Sequence, residues 1–362
     1  MKKKKVCFIA QFPPPLHGLS KAVDTLYHSD LMNEFDLEKI DITNNKRILQ
    51  SIVALIRSKA DLFYFTISQT KPGNIRDLIL LKLLRIFKKK CIVHLHGGYY
   101  RQLVDNDMGS LQKKLNFNEI GNVQGAIVLS ESLKCIFKGM MHENKIHVVP
   151  NCVEDEYLMP DEKFDEKIQQ VTHKKVLHML YLSNFIRSKG YAEVLELAHL
   201  EKTRCHNGGE QRLHFNFAGK FFEDSEKEHF FETINKHGLE EFITYHGVVS
   251  GEEKINLLSS NDIFILLTRY PNEGQPISIL EAMGNGMMVI TTDHAGIPDI
   301  VENQLNGIVC SKEMTTQDIY DLVNKQDKPS LQKMMLTNRE KVKSGFREKQ
   351  YVEKIKYLFN MQ

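Results

Sequence analysis

The chain has 362 residues, of which 42% are hydrophobic and 26% are charged, a composition typical of globular proteins. Its 48 lysines and arginines nearly balance its 46 acidic residues, so the overall charge does not support a nucleic-acid partner. The six cysteines are scattered without a Cys-x-x-Cys pair, and no apolar run approaches the roughly 20 residues that span a bilayer. We therefore expect a cytoplasmic protein with reduced thiols, without a secretion signal or a transmembrane helix.

Short apolar runs alternate with amphipathic stretches over the first part of the chain. The predicted strands are 6–10, 37–42, 62–65, 91–95, 126–129 and 146–149. The predicted helices are 20–32, 47–58, 75–87, 111–122 and 133–140. Strands that alternate with helices indicate a parallel sheet with helices on both faces. We assign residues 1–153 to a first Rossmann-like domain.

A second alternation follows a charged, proline-containing stretch, 154–175, which we interpret as a linker region. The predicted strands are 176–182, 213–218, 242–246, 262–267, 288–291 and 307–310. The predicted helices are 191–200, 227–237, 252–258 and 277–283. The predicted fold class is therefore α/β, with a second doubly wound parallel-sheet domain over 176–340. We expect 341–362 to form a helix that crosses back and packs on the first domain.

The segment from Asn272 to Gly286 places one carboxylate in a Gly/Pro loop and another eight residues later. Pro276 has a fixed φ and no backbone N–H, which suits the start of a helix. Glu273 is then expected on the loop and Glu281 in the second helical turn. The flanking apolar runs predict buried parallel strands, so this is a strand-to-helix junction, where open α/β sheets bind ligands. The alternative is a turn glutamate followed by a solvated helix glutamate.

Two Rossmann-like domains with this glutamate pair resemble the GT-B nucleotide-sugar glycosyltransferases, and glycosyltransferase family 4 in particular. That family has a P-x-x-E-G-x-P-x-x-x-L-E-A-M-x-x-G pattern, to which the run from Glu273 to Gly286 corresponds. The resemblance implies that the two domains face a central cleft, with the acceptor on the side of residues 1–153 and the nucleotide sugar on the side of 176–340. It also implies that Glu273 lies near the reacting carbon of the donor sugar and that Glu281 binds the ribose hydroxyls. The residues between them that would also contact the donor are Gly274, Gln275, Pro276 and Ile277.

A basic loop follows the first predicted strand of the second domain. Lys189 and Gly190 match the family's G-R-L-x-x-x-K-G loop, where a cation and the next helix N-terminus bind a diphosphate. Asn184 stands at the family's arginine position, and Arg187 lies three residues further on. The resemblance therefore leaves open whether Arg187 replaces that arginine. The alternative for Lys189 is an ordinary exposed loop charge.

Two positions in the first domain complete the predicted site. Gly18 follows three prolines in the loop after the first strand, where the family's glycine loop approaches the donor; a purely structural turn is an equal alternative. His96 ends the fourth strand, where the family's histidine approaches the sugar hydroxyls. We predict no metal site at His94 and His96, because a third ligand with suitable spacing is missing and the family needs no metal.

The stretch 74–90 combines an apolar stripe with several lysines and arginines. A basic amphipathic helix can rest on an anionic membrane surface, where lipid-linked sugar acceptors are found. The alternative is that the stripe only covers the sheet, as any such helix must. We expect peripheral contact with the inner face of the plasma membrane.

The resemblance implies a retaining glycosyltransferase that moves a hexosyl or N-acetylhexosaminyl group from a nucleotide sugar to a hydroxyl of a glycan or lipid-linked acceptor. UDP is favoured over GDP, no further cofactor is required, and bacterial capsule or lipopolysaccharide synthesis is the implied setting. One alternative is a degenerate GT-B partner that only binds a sugar nucleotide. Another is a sugar-nucleotide epimerase of the same fold. A dehydrogenase is disfavoured because no G-x-G-x-x-G follows the first strand.

Overall fold

The structure is a computed structural model that describes residues 3–15 and 18–362. The chain divides into two compact units. The first comprises Met1–Cys152, Pro271–Gln275 and Glu348–Gln362, and the second comprises Val153–Tyr270 and Pro276–Arg347. The first unit thus includes two segments from the C-terminal part of the sequence.

The first unit contains a six-stranded parallel sheet in the order β2-β1-β3-β4-β5-β6. Its strands are β1 (Lys4–Ala10), β2 (Phe35–Asp41), β3 (Leu62–Thr66), β4 (Cys91–His94), β5 (Gly125–Val128) and β6 (Ile146–Val148). Strands β3, β4 and β5 are buried along their whole length, as expected for a parallel sheet covered on both faces.

The helices of the first unit that lie before residue 152 begin with α1 (Gly18–Tyr27), α2 (Leu31–Glu34) and α3 (Ile48–Arg57). They continue with α4 (Lys71–Ile86), α5 (Tyr100–Gln102) and α6 (Ser110–Gly121), with a π-helical turn at Leu103–Asp107 and 3-10 turns at Asn45–Arg47, Ser132–Phe137 and Glu143–Lys145. The helix predicted over 133–140 is therefore a 3-10 turn. Gly139, at a φ of +77°, prevents its continuation as a regular helix.

The second unit contains another six-stranded parallel sheet, in the order β12-β11-β10-β7-β8-β9. Its strands are β7 (Leu177–Leu182), β8 (Leu213–Ala218), β9 (Ile243–Tyr245), β10 (Ile263–Leu266), β11 (Met288–Thr292) and β12 (Gly307–Cys310). Its helices are α7 (Asp161–Val171), α8 (Tyr191–His206), α9 (Asp224–His237), α10 (Gly251–Ser260), α11 (Ile277–Gly284), α12 (Thr316–Asn324) and α13 (Lys328–Gly345). Its 3-10 turns are Asp155–Tyr157, Arg187–Lys189 and Ile297–Asp299.

The last helix, α14 (Glu348–Met361), belongs to the first unit. Its buried apolar side chains join the core beneath the first sheet, where Phe359 packs edge-on against Phe8 and Phe35. Residues 341–345, which we predicted to begin this helix, instead end α13 in the second unit. Within the described residues 3–15 and 18–362, no helix is long and apolar enough to cross a membrane.

Helix α7 occupies much of the stretch that we interpreted as a linker region. Phe164, Ile168 and Val171 recur at intervals of three and four residues and are buried in the core of the second unit. The acidic residues between them lowered the apparent hydrophobicity of the stretch. The amphipathic pattern nevertheless explains why it folds as a helix on that core.

Lys167 on α7 is a buried lysine whose Nζ donates a hydrogen bond to Asn285 O at 2.9 Å. Burial lowers the pKa of Lys167 from 10.5 to about 7; Asp262 opposes this shift, and Lys174 and Arg339 add to it. Between these two values the unfolded chain binds a proton here that the folded chain does not, so the free energy of unfolding rises with pH. We expect Lys167→Met to flatten that rise by up to about 1.4 kcal/mol per pH unit. Urea unfolding at pH 7, 8 and 9 measures the free energy of unfolding of both proteins. If this free energy rises equally steeply with pH in the wild type and in Lys167→Met, the prediction is contradicted.

Candidate functional site

Glu273 lies in the short segment Pro271–Gln275, which belongs to the first unit. Gln275 anchors this segment and is only 3% exposed. Its side-chain Oε1 accepts from Asn151 N at 2.8 Å, and its backbone oxygen accepts from Asn151 Nδ2 at 2.8 Å. Its Nε2 donates to Leu129 O at 3.2 Å. Because Leu129 and Asn151 follow β5 and β6, these bonds place the segment at the carboxyl edge of the first sheet.

Gly274 brings this segment against the end of β4. A Cβ atom at Gly274 would lie 2.8 Å from His96 O and 2.9 Å from Gly97 Cα, so the close approach requires glycine. His96 follows β4 by two residues and is half-buried. The segments that carry the two predicted catalytic residues, Glu273 and His96, are therefore in contact.

His96 stacks on His94, with ring centroids 3.9 Å apart and an angle of 31° between the rings. The hydroxyl of Tyr64 lies 2.6 Å from His94 Nδ1 and 3.5 Å from His96 Nε2. Burial lowers the pKa of His94 well below its usual value, so its ring is neutral and Tyr64 can donate to Nδ1. We did not identify Tyr64 from the sequence, because it lies within the continuous apolar run of β3. In residues 3–15 and 18–362, no group of three or more His, Cys, Asp or Glu is placed to hold a metal.

Gly18 is exposed at the first position of α1. A Cβ atom there would meet nothing within 4 Å, so space alone does not require glycine. Leu16 and His17 of the same predicted loop lie outside the described residues. Ser20 Oγ donates to Pro15 O at 2.8 Å and ties the start of the helix to the proline run.

Glu281 lies in the second turn of α11 in the second unit and is 2% exposed. Its Oε1 is 2.6 Å from the Nζ of Lys254 on α10. Pro276 immediately precedes the helix, and Ile277 is its first residue. We did not predict Lys254, because a lysine on an amphipathic helix is usually a solvent-facing residue.

Lys189 ends the 3-10 turn Arg187–Lys189, directly before α8. Gly190 has a φ of +81°, and a Cβ there would lie 2.6 Å from Leu267 O, so this position requires glycine. The Nζ of Lys189 is 5.2 Å from the ring centroid of Tyr270, at the end of the β10 loop. The predicted Lys-Gly pair is thus held against the carboxyl end of β10.

Arg187 and Asn184 occupy different surroundings from Lys189. The guanidinium of Arg187 is exposed, lies 5.9 Å from the ring centroid of Tyr191, and lines a cavity of about 730 Å³ that α8 and α9 border. Asn184 is half-buried, and its backbone oxygen accepts from Tyr181 OH at 3.0 Å. The side chains of Arg187 and Lys189 therefore contact different aromatic rings.

Arg269 is a further cation that the sequence analysis missed. Its backbone N–H donates to Ser188 O at 2.6 Å, which joins it to the basic loop. Its guanidinium is 3.8 Å from Glu193, and both side chains are 38% exposed. A long, partly exposed pair of this kind contributes little to stability.

A family model described as glycosyl transferases group 1 matches residues 162–341. This span contains the basic loop and the segment from Glu273 to Glu281. The match agrees with the predicted class of enzyme, a glycosyltransferase.

Two curated relatives show similarity to parts of the chain. The amylovoran biosynthesis glycosyltransferase AmsK of Erwinia amylovora is 26% identical over 289 residues, which cover 76% of this chain and 64% of AmsK. The UDP-Gal:alpha-D-GlcNAc-diphosphoundecaprenol alpha-1,3-galactosyltransferase of Escherichia coli is 32% identical over 104 residues, which cover 29% of this chain and 26% of that enzyme. The chain thus matches less than two thirds of the length of either relative.

Solved structures match the whole chain. Anabaena Alr3699/HepE in complex with UDP has a TM-score of 0.77 at 13% identity, covering 99% of this chain and 100% of that one. The sucrose-phosphate synthase of Thermosynechococcus elongatus has a TM-score of 0.76 at 10% identity, covering 99% of both chains. At these identities the likeness concerns the fold. The chain therefore has the predicted GT-B fold, and its residues 162–341 match the model of the glycosyl transferases group 1 family.

Proposed function

We propose that the protein is a retaining glycosyltransferase of family 4 that uses a nucleotide-sugar donor, with UDP favoured over GDP and no further cofactor. The observation that carries this proposal is the buried carboxylate of Glu281 in the second turn of α11, within the span that matches the family model. Solved relatives of the same fold include HepE in complex with UDP-glucose, which supports a uridine nucleotide. The transferred group is a hexosyl or N-acetylhexosaminyl residue.

In the second unit, Glu281 accepts hydrogen bonds from the ribose hydroxyls. A charged acceptor makes these bonds stronger than neutral ones. Lys189 stabilises the charge that develops on the diphosphate leaving group. Arg187 and Arg269 belong to the same basic loop region and offer further positive charge, where Asn184 lacks the family's arginine.

In the first unit, Glu273 and His96 act on the sugar. Their segments are in contact at the carboxyl edge of the sheet. Gly18, at the exposed start of α1, contacts the donor, and the space around its Cα is open. The backbone of Gly274 and Gln275, and of Pro276 and Ile277 in the second unit, contacts the donor.

In the reaction we propose, the bond between the anomeric carbon and the diphosphate breaks, and the acceptor oxygen bonds to the same face of that carbon. The acceptor proton passes to the departing phosphate oxygen. Glu273 and His96 orient the sugar and stabilise its developing positive charge. Product analysis by NMR tests the stereochemistry, since an inverted anomeric configuration would exclude a retaining enzyme.

We place the acceptor in bacterial surface polysaccharide synthesis, as a glycan or a lipid-linked saccharide. One relative is named for amylovoran biosynthesis, and another acts on a diphosphoundecaprenol-linked sugar. A lipid-linked acceptor is anchored in a membrane, so we propose a cytoplasmic protein in peripheral contact with the inner face of the plasma membrane.

A basic apolar surface in the first unit supports membrane contact. Helices α3 and α4 pack together, and the acids in residues 44–90 are Asp61 and Asp77 among many lysines and arginines. Asp77 is buried in a 2.7 Å ion pair with Arg76. An anionic bilayer attracts such a surface. The exposed apolar side chains on the two helices are Leu49, Val53, Ile56, Ile75, Ile79 and Ile86.

We expect the double variant Leu49→Ser/Ile86→Ser to bind phosphatidylglycerol vesicles about ten-fold more weakly than the wild type, because it removes two apolar groups from the bilayer contact. Co-sedimentation with vesicles measures the change. Val248→Ser, which removes a similarly exposed residue from the second unit, is the control and should bind normally. Equal binding of all three proteins would exclude this surface.

Glu281→Gln is expected to weaken UDP binding about ten-fold or more, because a neutral amide replaces a charged acceptor. Isothermal calorimetry with UDP and GDP measures the affinity, and the thermal midpoint without nucleotide shows whether the variant is folded. Unchanged affinity in a folded variant would remove Glu281 from the nucleotide site. A wild type that binds UDP yet neither transfers nor hydrolyses any donor would be the non-catalytic partner, an alternative that Asn184 supports.

A further inference from the structure

Glu281 forms an ion pair with a lysine of the second unit. The Nζ of Lys254 lies 2.6 Å from Glu281 Oε1 and 4.1 Å from the ring centroid of Tyr157. The side chain of Lys254 is 15% exposed and that of Glu281 is 3% exposed. The ammonium is thus held between a carboxylate and an aromatic face, two groups that both attract a cation.

A fourth side chain completes this arrangement. Asn285, at the end of α11, is buried, and its Nδ2 donates to Tyr157 O at 2.7 Å and to Glu281 O at 2.9 Å. The 3-10 turn Asp155–Tyr157, helix α10 and helix α11 are therefore joined through four side chains. Neither Lys254 nor Tyr157 can shift without disturbing the other and the helix that carries Glu281.

Because the carboxylate of Glu281 is buried, it needs a partner of opposite charge such as Lys254. An ionised carboxylate withdrawn from water costs several kcal/mol unless it is paired and hydrogen-bonded. Lys254 supplies the opposite charge. Because its Nζ donates a hydrogen bond to a single carboxylate oxygen, Oε1, it also restricts the rotation of the carboxylate. A carboxylate that is charged and fixed in direction is what recognition of two neighbouring hydroxyls requires.

We infer that Lys254, backed by Tyr157, is the positioning residue that orients the Glu281 carboxylate toward the two ribose hydroxyls of the nucleotide. This inference rests on the proposed nucleotide-sugar function and names a residue on which the selectivity for ribose depends. Lys254 bonds Glu281 and acts on the nucleotide only through it.

The experiment compares UDP with 2′-deoxyuridine diphosphate by calorimetry. In the wild type, loss of the 2′-hydroxyl should weaken binding about ten-fold, the value of one charge-assisted hydrogen bond. In Lys254→Met, UDP should bind about ten-fold more weakly, and the ratio between the two nucleotides should fall toward one. Lys254→Gln, which keeps a donor and loses the charge, should give an intermediate ratio and serves if the methionine variant does not fold.

A matched ion pair in the same unit provides the control. Lys174 lies 2.6 Å from Asp262, whose side chain is also fully buried. Lys174→Met should lower the thermal midpoint as Lys254→Met does, but it should leave the ratio of UDP to 2′-deoxyuridine diphosphate at its wild-type value. A purely structural Lys254 would behave like Lys174, and an unchanged ratio in a folded Lys254 variant would overturn the inference.

The proposed function can fail separately from this inference. If the wild type binds neither UDP nor GDP, the nucleotide-sugar function is wrong and the role of Lys254 falls with it. If GDP is the tighter ligand, the same ratio is measured with 2′-deoxyguanosine diphosphate. If the wild type binds nucleotide without preferring the ribose form, the function stands, but Glu281 and Lys254 do not select the ribose.

Discussion

Glu273→Gln is expected to lower the rate of sugar transfer at least about 100-fold while changing UDP affinity by less than about three-fold. The substitution keeps the size of the side chain and removes its negative charge beside the proposed sugar. The hydrogen bonds that hold the segment come from Gln275 and Asn151 and remain in place. A loss confined to the chemical step indicates an interaction made only in the transition state.

Initial rates with a fixed acceptor and calorimetry with UDP separate these two effects. Glu143→Gln is the control, because Glu143 is an exposed glutamate of the same unit and should keep the full rate. A variant that transfers sugar normally would exclude Glu273 from the reaction. A variant that loses transfer and UDP binding in parallel would assign Glu273 to donor binding.

The alternation of strands and helices could be predicted because it depends on local periodicity. The predicted strand over 213–218 coincides with β8, and helix α11 extends the predicted 277–283 by one residue. We expected a terminal helix on the first domain, but the place of Pro271–Gln275 in the first unit could not be predicted. That place depends on hydrogen bonds of a few side chains, such as that between Asn151 and Gln275, which leave no periodic signal in the sequence.

The residues of the candidate site also divide into those that could be predicted from the sequence and those that could not. Glu273 and Glu281 were predicted through a motif in consecutive residues, and in the structure Glu273 precedes α11 along the chain and Glu281 lies in its second turn. Lys254 and Tyr64 were missed because their partners, Glu281 and His94, are distant in the chain. A lysine on an amphipathic helix and a tyrosine in an apolar strand look ordinary until their neighbours are known.

Gln275→Glu is expected to destabilise the first unit by about 3 kcal/mol and to lower the transfer rate with it. The change is nearly isosteric, and one carboxylate oxygen can still accept from Asn151 N. The other oxygen would replace Nε2, which donates to Leu129 O at 3.2 Å, so two acceptors would face each other in a buried position. Because Glu273 lies two residues away in the same segment, displacement of this anchor also displaces the proposed catalytic carboxylate.

The destabilisation should depend on pH in a direction that identifies its cause. A protonated glutamic acid can again donate to Leu129 O, so burial and repulsion raise the pKa of the introduced group above that in the unfolded chain. The unfolding free energy that the variant loses at neutral pH should therefore be regained as pH falls through that raised value. Urea unfolding from pH 8 to pH 5 measures the recovery, with Gln50→Glu, the same change at an exposed position of α3, as the control. A loss of stability independent of pH would mean that the hydrogen bond from Gln275 to Leu129 is not what holds Pro271–Gln275 in the first unit.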